Sequence, residues 1–247
     1  MTPASRDSGS RPIEVVAFDG DDTLWHSESH FVDAHERFTA LVTPYVNGDP
    51  RTIDERVLAT ERANLALYGY GAKAYTLSLV ESAIELTGGR VTSREITAIL
   101  ELGKELLTRP VELLDGACEV VEQLHRAGYR LVLVTKGDLF HQEAKVAGSG
   151  LADTFSRIEI VSEKDAATYR RVMAAAGVAP GCFLMVGNSV RSDILPVVEL
   201  GGRAVHVPYR YTWELERVPE AEAERHGFHE LTSIGEVPDL VSKLSLR

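Results

Sequence analysis

The chain has 247 residues, 44% hydrophobic and 26% charged, enough apolar material for one sizeable core or a core with a smaller insert. Its formal net charge of -11 argues against a nucleic-acid binder, because phosphate backbones attract basic surfaces. A small phosphorylated substrate stays open, since a metal ion and one lysine reverse a local field. Two cysteines, Cys118 and Cys182, make no disulfide framework and lack CxxC spacing, so burial in a reducing cytoplasm is expected for both.

Residues 1–12 are polar, with no apolar stretch of a signal peptide, and are expected to form a disordered tail. Residues 13–18 then form a short β-rich apolar run, as a buried strand does. From residue 25 to 108 no buried-strand pattern occurs. Residues 52–67 and 75–86 read most clearly as helices, separated by Tyr68-Gly69-Tyr70-Gly71. A helical insert directly after the first strand sits over the sheet's carboxyl edge, where a lid belongs.

Beyond the insert, strands at 130–134, 157–161, 182–186 and 204–207 alternate with helices at 117–127, 165–176 and 190–200. The strand at 157–161 alternates in polarity and is expected nearer an edge. This rhythm predicts an α/β fold: a Rossmann-like parallel sheet with helices on both faces, plus a smaller all-helical cap domain. The core is expected to comprise 13–24 and 109–247, and the cap 25–108. Ligands on such sheets bind at the carboxyl ends of the strands.

Four strands end in polar clusters: Asp19-Gly20-Asp21-Asp22-Thr23, Thr135-Lys136-Gly137-Asp138, Ser162-Glu163-Lys164-Asp165, and Gly187-Asn188-Ser189 leading to Asp193. Taken singly, each passes for a turn, a helix cap or a solvated charge. In order, they resemble the four motifs of the haloacid dehalogenase (HAD) superfamily in its phosphatase branch. The resemblance covers nearly the whole chain, including the place of the helical insert.

The resemblance implies a hydrolase of small-molecule phosphate monoesters that works through an aspartyl-phosphate. Asp19 matches the nucleophile and Asp21 the general acid/base. Thr135 and the backbone N–H of Lys136 are implied to bind the phosphoryl oxygens, and Lys164 to neutralise nucleophile and phosphate. The implied cofactor is Mg²⁺, held by Asp19, the backbone carbonyl of Asp21, Asn188 and Asp193. Dehalogenases of the family lack an aspartate at the second position, because a departing halide needs no proton.

Two departures stand out. Gly20 lies where the family more often has a larger residue, which predicts a looser backbone. Asn188 replaces the commoner aspartate, which removes a negative charge from the metal site. In the cap, Tyr70 and Lys73 are candidates for selecting the leaving group. His26, His30 and His35 are spaced for a helical metal site but lack an acidic or cysteine partner at matching spacing.

Two other functions use similar parts. A phosphomutase returns phosphate to its substrate on the same core. A receiver-like signalling domain also combines aspartates, Thr, Lys and Mg²⁺, but carries no lid after its first strand. The expected partner is a small phosphorylated metabolite, with neither nucleic acid nor membrane; the sequence leaves the oligomeric state open.

Overall fold

The computed structural model describes residues 13–46, 49, 51–223 and 225–246, so the expected tail at 1–12 lies outside the described residues. In chain order the elements are β1 (Val15–Phe18), α1 (Glu28–Val42), α2 (Arg51–Tyr68), α3 (Ala72–Leu86), α4 (Ser93–Thr108), α5 (Ala117–Arg126) and β2 (Arg130–Lys136). Then come α6 (Leu139–Ser149), β3 (Arg157–Val161), α7 (Ala166–Ala175), β4 (Phe183–Gly187), α8 (Leu195–Glu199) and β5 (Arg203–His206). Short α9 (Glu220–Ala223), β6 (His229–Glu230) and α10 (Val237–Ser245) close the chain.

The sheet runs β3-β2-β1-β4-β5-β6, and every pairing is parallel. β1 is central, paired to β2 on one side and β4 on the other. Its four residues are all buried, which is why the sequence shows an apolar run there and no alternation. Successive side chains still point to opposite faces. Val16 and Phe18 join a core with Val121 and Leu124 of α5 and Val241 of α10. Val15 and Ala17 join a second core with Tyr169 and Val172 of α7. β3 stands at the edge, where its polar residues meet solvent.

Helices α1 to α4 have a third core of their own, centred on Phe38, Ile53, Leu79 and Ile99. This is the helical cap. Truncating Phe38, fully buried there, to alanine would cost about 3–5 kcal/mol in lost transfer energy and cavity. α4 begins with a capping box: the Thr92 side chain accepts from Glu95 N–H, and the Glu95 carboxylate accepts from Thr92 N–H.

The expected helix at 190–200 is not one regular helix. Residues Val190–Ile194 form a wider turn of π type, and α-helix follows from Leu195. Such turns are frequent at functional sites, and this one carries Asp193. Cys182 is buried, but Cys118 is half-exposed beside Glu122, against the expected burial, and no disulfide joins the two. Among the described residues no helix is long and apolar enough to cross a membrane.

Candidate active site

The carboxyl ends of β1, β2, β3 and β4 bring Asp19, Thr135, Lys164 and Asp193 to one edge. Asp19 follows β1 and is 5% exposed. The Lys164 ammonium donates to Asp19 Oδ1 and, at 2.7 Å, to Asp193 Oδ1. Thr23 Oγ1 donates to Asp19 Oδ2 at 3.2 Å and stands 3.4 Å from Asn188 Oδ1. Gly187 makes the approach of Asp193 possible, because a Cβ there would overlap the Asp193 carboxylate. Ser189 N–H then donates to Asp193 Oδ2 at 3.1 Å.

The charges do not balance. Burial pushes Asp19 up to about 7 against the opposing pull of Lys164, and Asp193 and Asp21 add to the rise. Burial works to lower Lys164, but the charges of Asp19 and Asp193 more than reverse it, so it ends above its ordinary value. Both directions express one imbalance, two buried carboxylates sharing one ammonium. Removing the lysine would leave them uncompensated, at roughly 3–5 kcal/mol.

An all-oxygen set of Asp19, Asn188 and Asp193, short of positive charge, suits a hard cation such as Mg²⁺. The side chain of Asp21 turns to other partners, and among the described residues no three Asp, Glu, His or Cys side chains gather as a metal cluster. Thr135 is fully buried at the end of β2, and its hydroxyl has no hydrogen-bond partner among the described residues. An orphaned donor in that position fits an anionic oxygen.

Asp21 faces a different set of groups. Its Oδ1 accepts from Trp25 Nε1 at 2.6 Å, and its Oδ2 from Gln142 Nε2 at 2.9 Å. Lys145 Nζ lies 2.7 and 2.8 Å from the two oxygens. Burial alone would raise Asp21, but Lys145, Gln142 and Trp25 more than offset it and hold the carboxyl below its usual range. Neither Gln142 nor Lys145 was singled out in the sequence; their spacing of three on the helix following Thr135 was the available signal.

The backbone around Gly20 is not loose. A Cβ at Gly20 would collide with the Trp25 ring, so the glycine leaves room for an indole that is itself fully buried. Asp22, at φ 62°, accepts the backbone N–H groups of Ser27 and Glu28 at 2.8 and 2.9 Å, which ties the start of α1 to the turn after β1. Burial, then the Asp21 charge, pushes Asp22 up to about 8.

Asp19, Asp21 and Lys164 line a cavity of about 320 Å³ between core and cap. Its far wall comprises Glu28 and Phe31 of α1, Glu61 of α2 and Tyr75 of α3, with Trp213 from the segment after β5. Tyr70 also lines it, donating to Glu163 Oε2 at 2.6 Å and lying over Lys136, whose Nζ is 4.0 Å from the ring centroid. Lys73 does not itself line the cavity: it is half-exposed and pairs at 2.9 Å with Asp138, which does.

The Lys136 side chain is held by Glu216 at 2.6 Å, and Glu216 also accepts from Ser189 and Ser192 at 2.5 Å. Glu216 lies in a segment with no strand or helix periodicity, which hid it from sequence reasoning. The histidines do not converge: His26 meets Tyr209, His30 meets Arg109, and His35 meets Asp54.

A family model for haloacid dehalogenase-like hydrolases matches residues 13–201. The chain belongs to that family. This hydrolase is 41% identical to a haloacid dehalogenase-like family hydrolase of Xanthomonas campestris, whose crystal structure it matches with a TM-score of 0.84 over 100% of this chain and 97% of that one. It is 34% identical over 90 residues to a phosphoserine phosphatase of Thermus thermophilus, covering 34% of this chain and 36% of that relative's length. A predicted phosphoglycolate phosphatase of Haemophilus somnus shares the fold at 18% identity and a TM-score of 0.62, over 92% and 97% of the two chains. Dehalogenase structures also share the fold, so the fold alone does not choose the reaction.

Proposed function

We propose that this hydrolase cleaves small-molecule phosphate monoesters, with Asp19 as nucleophile. The observation that carries the reading is Asp21, a second carboxylate on the same turn, facing the cavity that Asp19 lines. A halide leaves without a proton, whereas an alkoxide requires one. Asp19 attacks phosphorus and the ester P–O bond breaks, while Asp21 gives its proton to the departing oxygen. Asp21 then takes a proton from the water that attacks the aspartyl-phosphate, and inorganic phosphate leaves with Asp19 restored.

In the free site Asp21 is held charged, ready for that second role. A dianionic phosphoryl group arriving beside it acts in the opposite direction, by like charge, so Asp21 takes up from solvent the proton that it then gives to the departing oxygen. The Thr135 hydroxyl donates to a phosphoryl oxygen, and Lys164 offsets charge as it spreads over the equatorial oxygens. Asp19, Asn188, Asp193 and the backbone carbonyl of Asp21 would hold Mg²⁺, which supplies the positive charge a dianionic ester needs among these carboxylates. The cap and the segment around Trp213 limit the leaving group to a small molecule. With its two cysteines outside any disulfide, the chain suits a reducing cytoplasm.

The test is phosphate release from p-nitrophenyl phosphate and a panel of small esters, with Mg²⁺ or EDTA, beside Asp19→Asn. Turnover that needs Mg²⁺ and is lost in Asp19→Asn is the expected result. Turnover that survives Asp19→Asn removes the nucleophile assignment, and release of halide without release of phosphate replaces the reading.

A further inference from the structure

Four hydrogen bonds from three side chains converge on one carboxylate. Trp25 Nε1 and Lys145 Nζ reach Asp21 Oδ1 at 2.6 and 2.7 Å; Gln142 Nε2 and Lys145 Nζ reach Oδ2 at 2.9 and 2.8 Å. A glycine stands beside two of the donors. A Cβ on Gly20 would overlap the Trp25 ring, and one on Gly137 would lie 2.8 Å from Gln142 Nε2. Gln142 is fixed further by donating to the Lys136 carbonyl at 2.9 Å. The donors come from two separate elements, the turn after β1 and helix α6, so the Asp21 side chain is held from both ends of its approach.

Stability is a weak reason for this arrangement. A largely buried ion pair gains little over apolar packing of the same volume, because desolvation of both ions opposes their attraction. Among the described residues the one ion pair of Lys145 is with Asp21, and both line the cavity. We infer that Lys145, assisted by Gln142 and Trp25, is a positioning residue that fixes the Asp21 carboxyl toward the departing oxygen of the substrate. The inference rests on the phosphatase reading. It adds a set of residues whose work is the aim of the proton donor, as distinct from binding the phosphoryl group.

Aim matters in proportion to how much the leaving group needs the proton. A displacement of about 1 Å can cost on the order of 10²-fold, comparable with the roughly 10²–10⁴-fold worth of a general acid. Phenolate is a basic leaving group that gains from protonation as it departs, whereas p-nitrophenolate is stable enough to leave without it. The two aryl phosphates are otherwise alike in shape. Their kcat/KM values report the step that phosphorylates Asp19, before the common hydrolysis of the intermediate.

The experiment compares kcat/KM for phenyl phosphate and p-nitrophenyl phosphate in the Mg²⁺-loaded wild-type enzyme, Lys145→Met and Trp25→Phe, with circular dichroism as a folding control. In Lys145→Met the value for phenyl phosphate is expected to fall about 10²-fold and that for p-nitrophenyl phosphate less than about fivefold. Trp25→Phe keeps an aromatic ring, removes one donor, and is expected to steepen the same ratio by about three- to tenfold. It carries the test if Lys145→Met fails to fold. Equal losses on both esters in a folded variant overturn the inference and leave the phosphatase reading standing. A wild-type enzyme inactive on both esters overturns the reading and the inference together.

Discussion

The indole of Trp25 occupies the space that any side chain at residue 20 would enter. The two positions therefore act as one unit, and the glycine between the paired aspartates is a packing requirement.

Gly20→Ala should destabilise the enzyme by about 1–3 kcal/mol through overpacking, because Trp25 is fully buried and has nowhere to move. In a Trp25→Leu background the same change should cost less than half as much, since the opposing ring is gone. Urea midpoints for the two single variants and the double variant give the coupling directly. Additive costs would show that the two positions do not compete for space.

Asn188→Asp should bind Mg²⁺ about tenfold more tightly, equivalent to about 1.4 kcal/mol, by adding a charge to the oxygen set. It should also lower the Tm of the metal-free protein, because a third carboxylate joins two that share only Lys164. Thermal scans across a Mg²⁺ titration read both effects, since a ligand that binds the folded state raises Tm in proportion to its affinity. An unchanged metal-free Tm would place residue 188 away from the imbalance.

Glu61 gives a pH dependence of stability. Burial, then the Glu28 charge, pushes it up to about 7, while a hydrogen bond from Trp213 works the other way; Tyr75 of α3 faces it as well. A carboxyl whose folded value is raised adds stability below the unfolded value of 4.5 and loses it as pH rises through about 7. Glu61→Gln should therefore raise Tm by about 2–4 °C at pH 8, on the order of 1 kcal/mol after allowing for partial solvent contact, and change little at pH 4. The same gain at both pH values would assign the effect to packing.

The candidate-site motifs were legible because three of the four lie at the ends of buried strands, and apolar runs such as Val15–Phe18 are the strongest short signal a sequence carries. The edge position of β3 followed from its alternation for the same reason. Lys145 and Gln142 were hidden because a lysine and a glutamine on a helix resemble a solvated face until the carboxylate they meet is placed in space. Glu216 was hidden more deeply, since the geometry of the segment after β5 is set by tertiary packing and leaves no periodic trace. Lys73 was legible as a cation on a cap helix, but its pairing with Asp138, a carboxylate that lines the cavity, was not.

The segment between β5 and α9 supplies Trp213 and Glu216 to the cavity, yet holds no motif residue. Chemistry and recognition are thus written in separate stretches of chain. Substitutions in this segment can reshape the chamber while Asp19, Lys164 and Asp193 keep their places. Such a division lets a lineage explore new substrates by small steps without passing through an inactive ancestor.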